Sequence, residues 1–438
     1  MLKQLQLTGI GPAEQMDIEF ADRLNIITGD NGLGKSFILD VAWWALTRTW
    51  AGATVRPVAE QLDHARIGFS VGAKSRTVSD NCQYNRKLET WTRTMGRPSN
   101  PGLVLYARSD GGFSVWDPAR NYWKKDRAGE SIERQLAYIF SPQEVWDGLP
   151  LEGAKKYCNG LIADWAAWQR EASEPFNQLC RALDVLSPDR TELLTPGKLV
   201  RLPDDVRAYP TVTMSYGMDV PVIHLSSGMR RIIALAYLLV WGWQEHLIAA
   251  ERLGEDPTRQ IVFLIDEIES HLHPKWQRQI FESVLAVMKA LIGSNADVNV
   301  QIIAATHSPM VLASLEPIFD PAQDQLFDFD LKPDQQNRPR VVLEPRQWEK
   351  LGTVDKWLVS NIFDFKEARS HQAETLVQEI HAAMQSGKLN KARAKELDRL
   401  LDAELGQTDP LWLRWRYFAE RKGWLTSEAT TGNGDAEN

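Results

Sequence analysis

Apolar and polar residues alternate near the start of the chain. Met16, Ile18 and Phe20 are separated by Asp17 and Glu19, the period-two pattern of a strand with one wet face. Leu2, Leu5 and Leu7 precede them, with a Gly-Ile-Gly-Pro turn between. Residues 24–28 (LNIIT) form a nearly continuous apolar run, as a strand buried on both faces requires. A glycine-rich turn and an apolar helix over 37–50 follow. Shorter strands are predicted at 67–71, 103–107 and 113–116.

The period then changes. Leu161, Trp165, Trp168, Ala172, Phe176, Leu179, Leu183 and Leu186 recur at spacings of three and four, one apolar helix face. Pro175 predicts a kink or a split there. A polar, proline-containing stretch over 187–220 reads as a linker. The helix predicted at 228–250 is apolar nearly all round and therefore buried. A buried strand over 261–265 (IVFLI), a helix over 274–292 and a strand over 298–304 come next. A short strand at 341–343 and amphipathic helices from Val354 complete the pattern. The tail from Thr426 has the composition of a disordered segment.

With 438 residues there is material for about three domain-equivalents and a large core. The 17 tryptophans are expected in packing. A net charge of −8 argues against a general polyanion binder. One local exception exists: Arg66, Lys74, Arg76, Arg86, Lys87, Arg93 and Arg97 face only Asp80 and Glu89, so this region is the candidate nucleic-acid contact. Cys82, Cys158 and Cys180 are too scattered for a disulfide framework, which points to the reducing cytoplasm. The N-terminus lacks a signal-peptide pattern. The most apolar run, 232–243, is shorter than the about 20 residues a membrane span needs, so no membrane role is expected.

Candidate chemistry enters at residues 29–36, GDNGLGKS. Glycines let backbone N–H groups wrap a phosphate, and the loop opens a helix whose positive end faces the anion. Asn31, Gly32, Gly34, Lys35 and Ser36 are the expected phosphate contacts, with Lys35 at the β/γ-phosphates and Ser36 on Mg²⁺. The strand over 261–265 ends in Asp266-Glu267. There Asp266 would hold Mg²⁺ and Glu267 would orient the attacking water. Ser226, Ser227 and Gly228 head the buried helix as an anion-friendly N-terminus, although an ordinary serine cap reads the same locally. Gln143 in FSPQEVW is a further candidate Mg²⁺ sensor, although no clear strand precedes it. His271 and His273 lack an obvious third metal ligand. Asp328 and Asp330 (DFD) are the nearest candidates for a nuclease metal pair, but a lone DxD reads better as a loop.

In order, these motifs are a phosphate loop, LSSGMRR, IDEIESHLHP and THSP. Together they resemble the ABC-type ATPase head of the soluble RecF, SMC and OLD branch, most closely the PtuA-type ATPases of Septu and retron anti-phage defence. The likeness covers residues 1–50 and 220–312. It implies an α/β P-loop ATPase head with a mixed central sheet, flanking helices, a β-rich N-terminal subregion, a helical lobe and a helical C-terminal extension. Expected boundaries are 1–150 and 221–345 for the two halves of the head, 151–220 for lobe and linker, 346–425 for the extension and 426–438 for the tail. It also implies ATP with Mg²⁺, His307 as the switch histidine and 269–274 as the D-loop. Ser226 and Gly228 would act across a homodimer or higher even oligomer, and a separate effector nuclease would be encoded nearby. No nuclease within the chain is predicted. Arg230 and Arg231 depart from the transporter form, which has glutamine near this position. A RecF- or SMC-like DNA-repair ATPase is the alternative reading.

Overall fold

The computed structural model describes residues 1–73, 76–92, 99–122, 136–151, 156–189, 191–203, 205–292, 298–363, 365–386, 389–406 and 409–424. Its N-terminal strands are β1 (Leu2–Thr8), β2 (Gln15–Glu19), β3 (Leu24–Gly29), β4 (Arg66–Ala73), β5 (Arg76–Asn85), β6 (Thr90–Trp91), β7 (Leu103–Ala107), β8 (Phe113–Trp116) and β9 (Tyr138–Phe140). Later in the chain come β10 (Gln260–Asp266), β11 (Asn299–Ala305), β12 (Asp324–Pro333) and β13 (Pro339–Arg346). Among the described residues the main sheet runs β13-β12-β3-β11-β10-β7-β8-β9. Strands β12, β3, β11, β10 and β7 are mutually parallel, and the edges turn antiparallel. This is the mixed central sheet that the resemblance implied.

The second sheet is antiparallel, in the order β2-β1-β4-β5-β6. Helix α1 (Lys35–Thr47) lies in the hydrophobic cluster that the two sheets share, with Trp43 and Trp44 buried. A helix packed on two sides needs apolar residues on two faces, which is why its pattern is apolar nearly all round. It ends three residues before the expected 50, because Arg48 adopts a left-handed conformation with φ +63°.

Buried Gln301 on β11 ties the sheets together. Its Oε1 accepts from the Leu2 amide at 2.8 Å, and its Nε2 donates to the carbonyls of Leu2 and Ala21, each at 2.8 Å.

The lobe consists of α2 (Leu161–Glu171), α3 (Glu174–Leu186) and α4 (Ser227–Leu253). Pro175 splits the first two helices: Ala172 turns left-handed at φ +46°, and the proline sits in the first turn of α3. At 27 residues, α4 is longer than the expected 228–250. It is long and apolar enough to cross a membrane, yet 72% of its most apolar window is buried in this fold. The expected linker contains short paired strands such as Thr211–Thr213 with Asp219–Pro221. The helix expected at 274–292 breaks into a turn at Pro274–Gln277 and α5 (Ile280–Ile292). Helix α6 (Pro309–Leu315) follows β11.

The structure bears on three expectations. The DFD segment is a strand, not a loop. Phe327 and Phe329 are buried, Asp330 is half-buried, and the Arg346 guanidinium donates to Asp328 Oδ2 at 2.8 Å. The basic region is largely the β4–β5 hairpin, with Arg86 and Lys87 exposed beyond it, whereas Lys74, Arg93 and Arg97 lie outside the described residues. The expected boundary at 345/346 falls inside the first of two compact units, Met1–Trp357. Strand β13 forms the sheet edge, and the Trp357 indole donates to Glu316 at 2.7 Å. The disordered tail expected from Thr426 also lies outside the described residues.

The second unit begins at Leu358. Helices α7 (His371–Ser386), α8 (Lys391–Glu404) and α9 (Pro410–Arg421) enclose Ile380, Leu397, Leu401, Trp412 and Trp415.

Gln301→Leu is expected to remove three hydrogen bonds, two of them between the sheets, and to oppose the polar backbone of Leu2 with a methyl group. The cost should be about 2–4 kcal/mol. Urea denaturation would show it as a lower midpoint; an unchanged midpoint would mean the tie is not made by this side chain.

Candidate functional site

Strands β3, β11 and β10 are parallel neighbours whose C-terminal ends are level: Ile27 pairs with Ala305, and Ala305 with Asp266. Open parallel sheets place their ligands at this edge. Three chain segments leave it side by side: 29–36, 266–274 and 306–308.

The glycine loop needs its glycines. Gly32 and Gly34 have φ +81° and +107°, and a Cβ on Gly34 would lie 2.7 Å from Pro12 Cγ. No atom lies within 4 Å of where a Cβ on Gly32 would stand, so the loop's crown, with Asn31 beside it, is open. Buried Lys35 donates from Nζ to the carbonyls of Gly29 at 2.8 Å and Asp30 at 2.9 Å. Burial lowers its pKa, while Glu267, Asp266, Asp30 and Glu269 pull it back up.

Those carboxylates crowd the adjacent strand end. Asp266 is buried, and burial raises its pKa; the hydroxyls of Ser109 and Ser36 act in the opposite sense. Its Oδ1 has no hydrogen-bond partner among the described residues. Glu267 is left-handed at φ +46°, an uncommon conformation for a residue with a side chain, and its amide donates to Ala305 O at 3.0 Å. Its Oε1 stands 3.3 Å from His307 Nδ1. Glu269 Oε1 accepts from the Thr306 hydroxyl at 2.5 Å and the His307 amide at 3.1 Å. Burial raises the Glu269 pKa.

Lys35, Ser36, Asp266, Glu267 and His307 are thus brought together. Ser226 lies apart on α4: its hydroxyl caps the helix by accepting from the Met229 amide at 3.3 Å, and it is exposed. Gly228 is buried, and a Cβ there would lie 2.7 Å from His271 O. Close backbone packing therefore requires this glycine independently of any ligand. Gln143 is not brought to Asp266. A strand does precede it, β9, but β9 is three strands from β10, and the Gln143 amide donates to Asp147 on its own helix. Strand β7 neighbours β10 instead, and the residue after it that reaches Asp266 is Ser109. His273 caps the turn at Pro274–Gln277. Among the described residues no cluster of three or more His, Cys, Asp or Glu suits a metal.

Sequence reasoning missed Ser109 and Glu269 as site residues. Ser109 reaches Asp266 only through pairing between distant strands. Glu269 had a local signal: it lies two residues after Glu267 in a segment already singled out.

A nucleotide with a divalent cation fits this donor set. The unpartnered Asp266 Oδ1 beside the Ser36 hydroxyl could take the cation. The open glycine crown and Lys35 could take phosphates.

Residues 127–313 match a family model for an AAA domain whose description names the AbiEii toxin of Type IV TA systems, and residues 4–82 match a second AAA-domain model. The Retron Vc95 probable ATPase of Vibrio cholerae serotype O1 biovar El Tor is 33% identical over 100 residues, 23% of this chain and 17% of that protein. The Retron Ec83 probable ATPase of Escherichia coli is 25% identical over 230 residues, 52% of this chain and 36% of that protein. Septu protein PtuA of Bacillus thuringiensis is 21% identical over 327 residues, 70% of this chain and 72% of that protein. The chain therefore spans well under half of the two retron proteins and most of PtuA. Sheet order and the loop-and-carboxylate edge are those of a P-loop ATPase fold, and the homologues of the chain include the PtuA and retron ATPases.

Proposed function

We propose that this protein binds and hydrolyses ATP and uses the cycle to control a separate effector in anti-phage defence. One observation carries the ATPase reading: Lys35, Asp266, Glu267 and His307 meet at the level ends of three adjacent parallel strands. The likeness to PtuA and the retron ATPases supports the defence role and the separate effector, which we take to be a nuclease.

In this reading the backbone N–H groups of residues 31–36 and the positive end of α1 hold the phosphates. Lys35 offers its ammonium to the β/γ-phosphates. Its bonds to the Gly29 and Asp30 carbonyls place that ammonium inside the loop. Ser36 and Asp266 would hold Mg²⁺, which supplies charge neutralisation on the phosphates when bound. Glu267 accepts a hydrogen bond from water and aims its oxygen at the γ-phosphorus. As that bond forms, the bond to the β–γ bridging oxygen breaks, and the water proton passes to the carboxylate. His307, 3.3 Å from Glu267, fixes the carboxylate's direction.

Ser226 has no place in this act within its own subunit, since it caps a lobe helix and faces solvent. A two-fold dimer would set each Ser226 against the partner's nucleotide, making ATP part of an isologous interface. Hydrolysis would loosen that interface, and the effector would read the dimer state.

Glu267→Gln is expected to bind ATP but to turn over about a hundredfold or more slowly. Lys35→Ala is expected to lose binding itself. Equilibrium nucleotide binding and phosphate release distinguish the two, and parental turnover in Glu267→Gln would remove Glu267 from the mechanism. Mixing Lys35→Ala with Ser226→Arg protein should restore part of the ATPase activity, because each mixed dimer has one intact composite site. A mixture that stays inactive although heterodimers form, or an active enzyme that is monomeric, would rule out the shared site.

A further inference from the structure

Arg231 lies on the second turn of α4, five residues after Ser226, where the sequence departs from the transporter pattern. Its half-buried guanidinium turns back onto the strand ends. Nη1 donates to Ser109 O at 2.9 Å. Nη2 lies between the carbonyls of Glu267 at 2.9 Å, Asp266 at 3.2 Å and Arg108 at 3.4 Å. One planar fork thus holds two strand ends, β7 and β10, to the head of the lobe helix. Glu269, Asp266, Glu267 and Asp110 are all close enough to favour its charge against the cost of burial.

These contacts span two functions. The carbonyls belong to the residues that would hold the cation and orient water at one nucleotide. The helix carries Ser226, which in the proposed dimer faces the other nucleotide. We infer that Arg231 is a positioning residue that links the two composite sites through one subunit. A shift of α4 when Ser226 engages the partner's nucleotide pulls on the carbonyls of Asp266 and Glu267. That sets the direction of Glu267 in the subunit's own site. The geometry makes the link rigid, because a guanidinium fixes several acceptors in one plane whereas an ammonium holds them one at a time. The inference rests on the composite-site reading above.

The experiment compares the parent with Arg231→Lys and Arg231→Met as intact proteins, after circular dichroism shows native folding. The readouts are equilibrium binding of a fluorescent ATP analogue and the ATP dependence of phosphate release. The parent should show a Hill coefficient above one. Both variants should bind the analogue with affinity within about threefold of the parent and show a Hill coefficient near one, and Arg231→Met should turn over about tenfold more slowly. Arg231→Lys should recover part of the rate, since it keeps the charge, but not the cooperativity. A helix merely destabilised by substitution would not separate binding, rate and cooperativity in this way. An Arg231→Met protein with the parent's rate and Hill coefficient overturns the inference, as does a parent with a Hill coefficient of one. Failure of the composite-site reading shows elsewhere, as absence of rescue in the Lys35→Ala and Ser226→Arg mixture.

Discussion

Three carboxylates within four residues, Asp266, Glu267 and Glu269, must share one strand end. Like charges so close, and partly out of water, repel strongly, so the surrounding structure is arranged around that repulsion. Lys35 supplies one cation from the glycine loop and Arg231 another from the lobe helix. The imidazole of His307 lies 3.3 Å from Glu267 Oε1. The rest of the charge is met by separation and hydrogen bonding: Asp266 lies beside serines, Glu269 takes a hydroxyl and an amide, and Glu267 leaves the strand in a left-handed turn. Each device comes from a different part of the chain, so the site exists only once the parallel strands have come into register.

The main sheet provides that register, and it does so from distant pieces. Strands β3 and β12 pair across nearly 300 residues, and β7 joins β10 from the other half of the head. The second sheet and α1 make the first part rigid, and Gln301 ties that part to a strand from the last third of the chain. Lys35 and Asp266 therefore stand at the ends of regular elements, which suits a site that must hold its geometry.

What was legible in the sequence was what is local. A strand, a glycine loop and a helix follow one another within about 25 residues, so 24–47 could be read directly. The run IVFLI ending in Asp266-Glu267 is equally self-contained. Gln143 lies away from Asp266 because its position depends on β8 and β9 folding back to the far edge of the sheet, which no local pattern records. Strand β12 was missed because alternating aspartate and phenylalanine (FDFD, residues 327–330) reads as polar until β3 is placed beside it. The buried ion pair from Arg346 is what makes Asp328 tolerable in that strand. Gly228 was assigned to an anion by its motif, and the approach of the His271 carbonyl supplies a reason that sequence could not show.

Helix α4 is unbroken for 27 residues, which makes it about 40 Å long. Such a rod, held at its head, acts as a lever. A tilt of about 5° at the strand ends would carry the last turn roughly 3 Å sideways. That displacement emerges at Leu253, an exposed residue of the first unit. The place to watch for a nucleotide-dependent change of shape is thus the end of the helix far from the nucleotide.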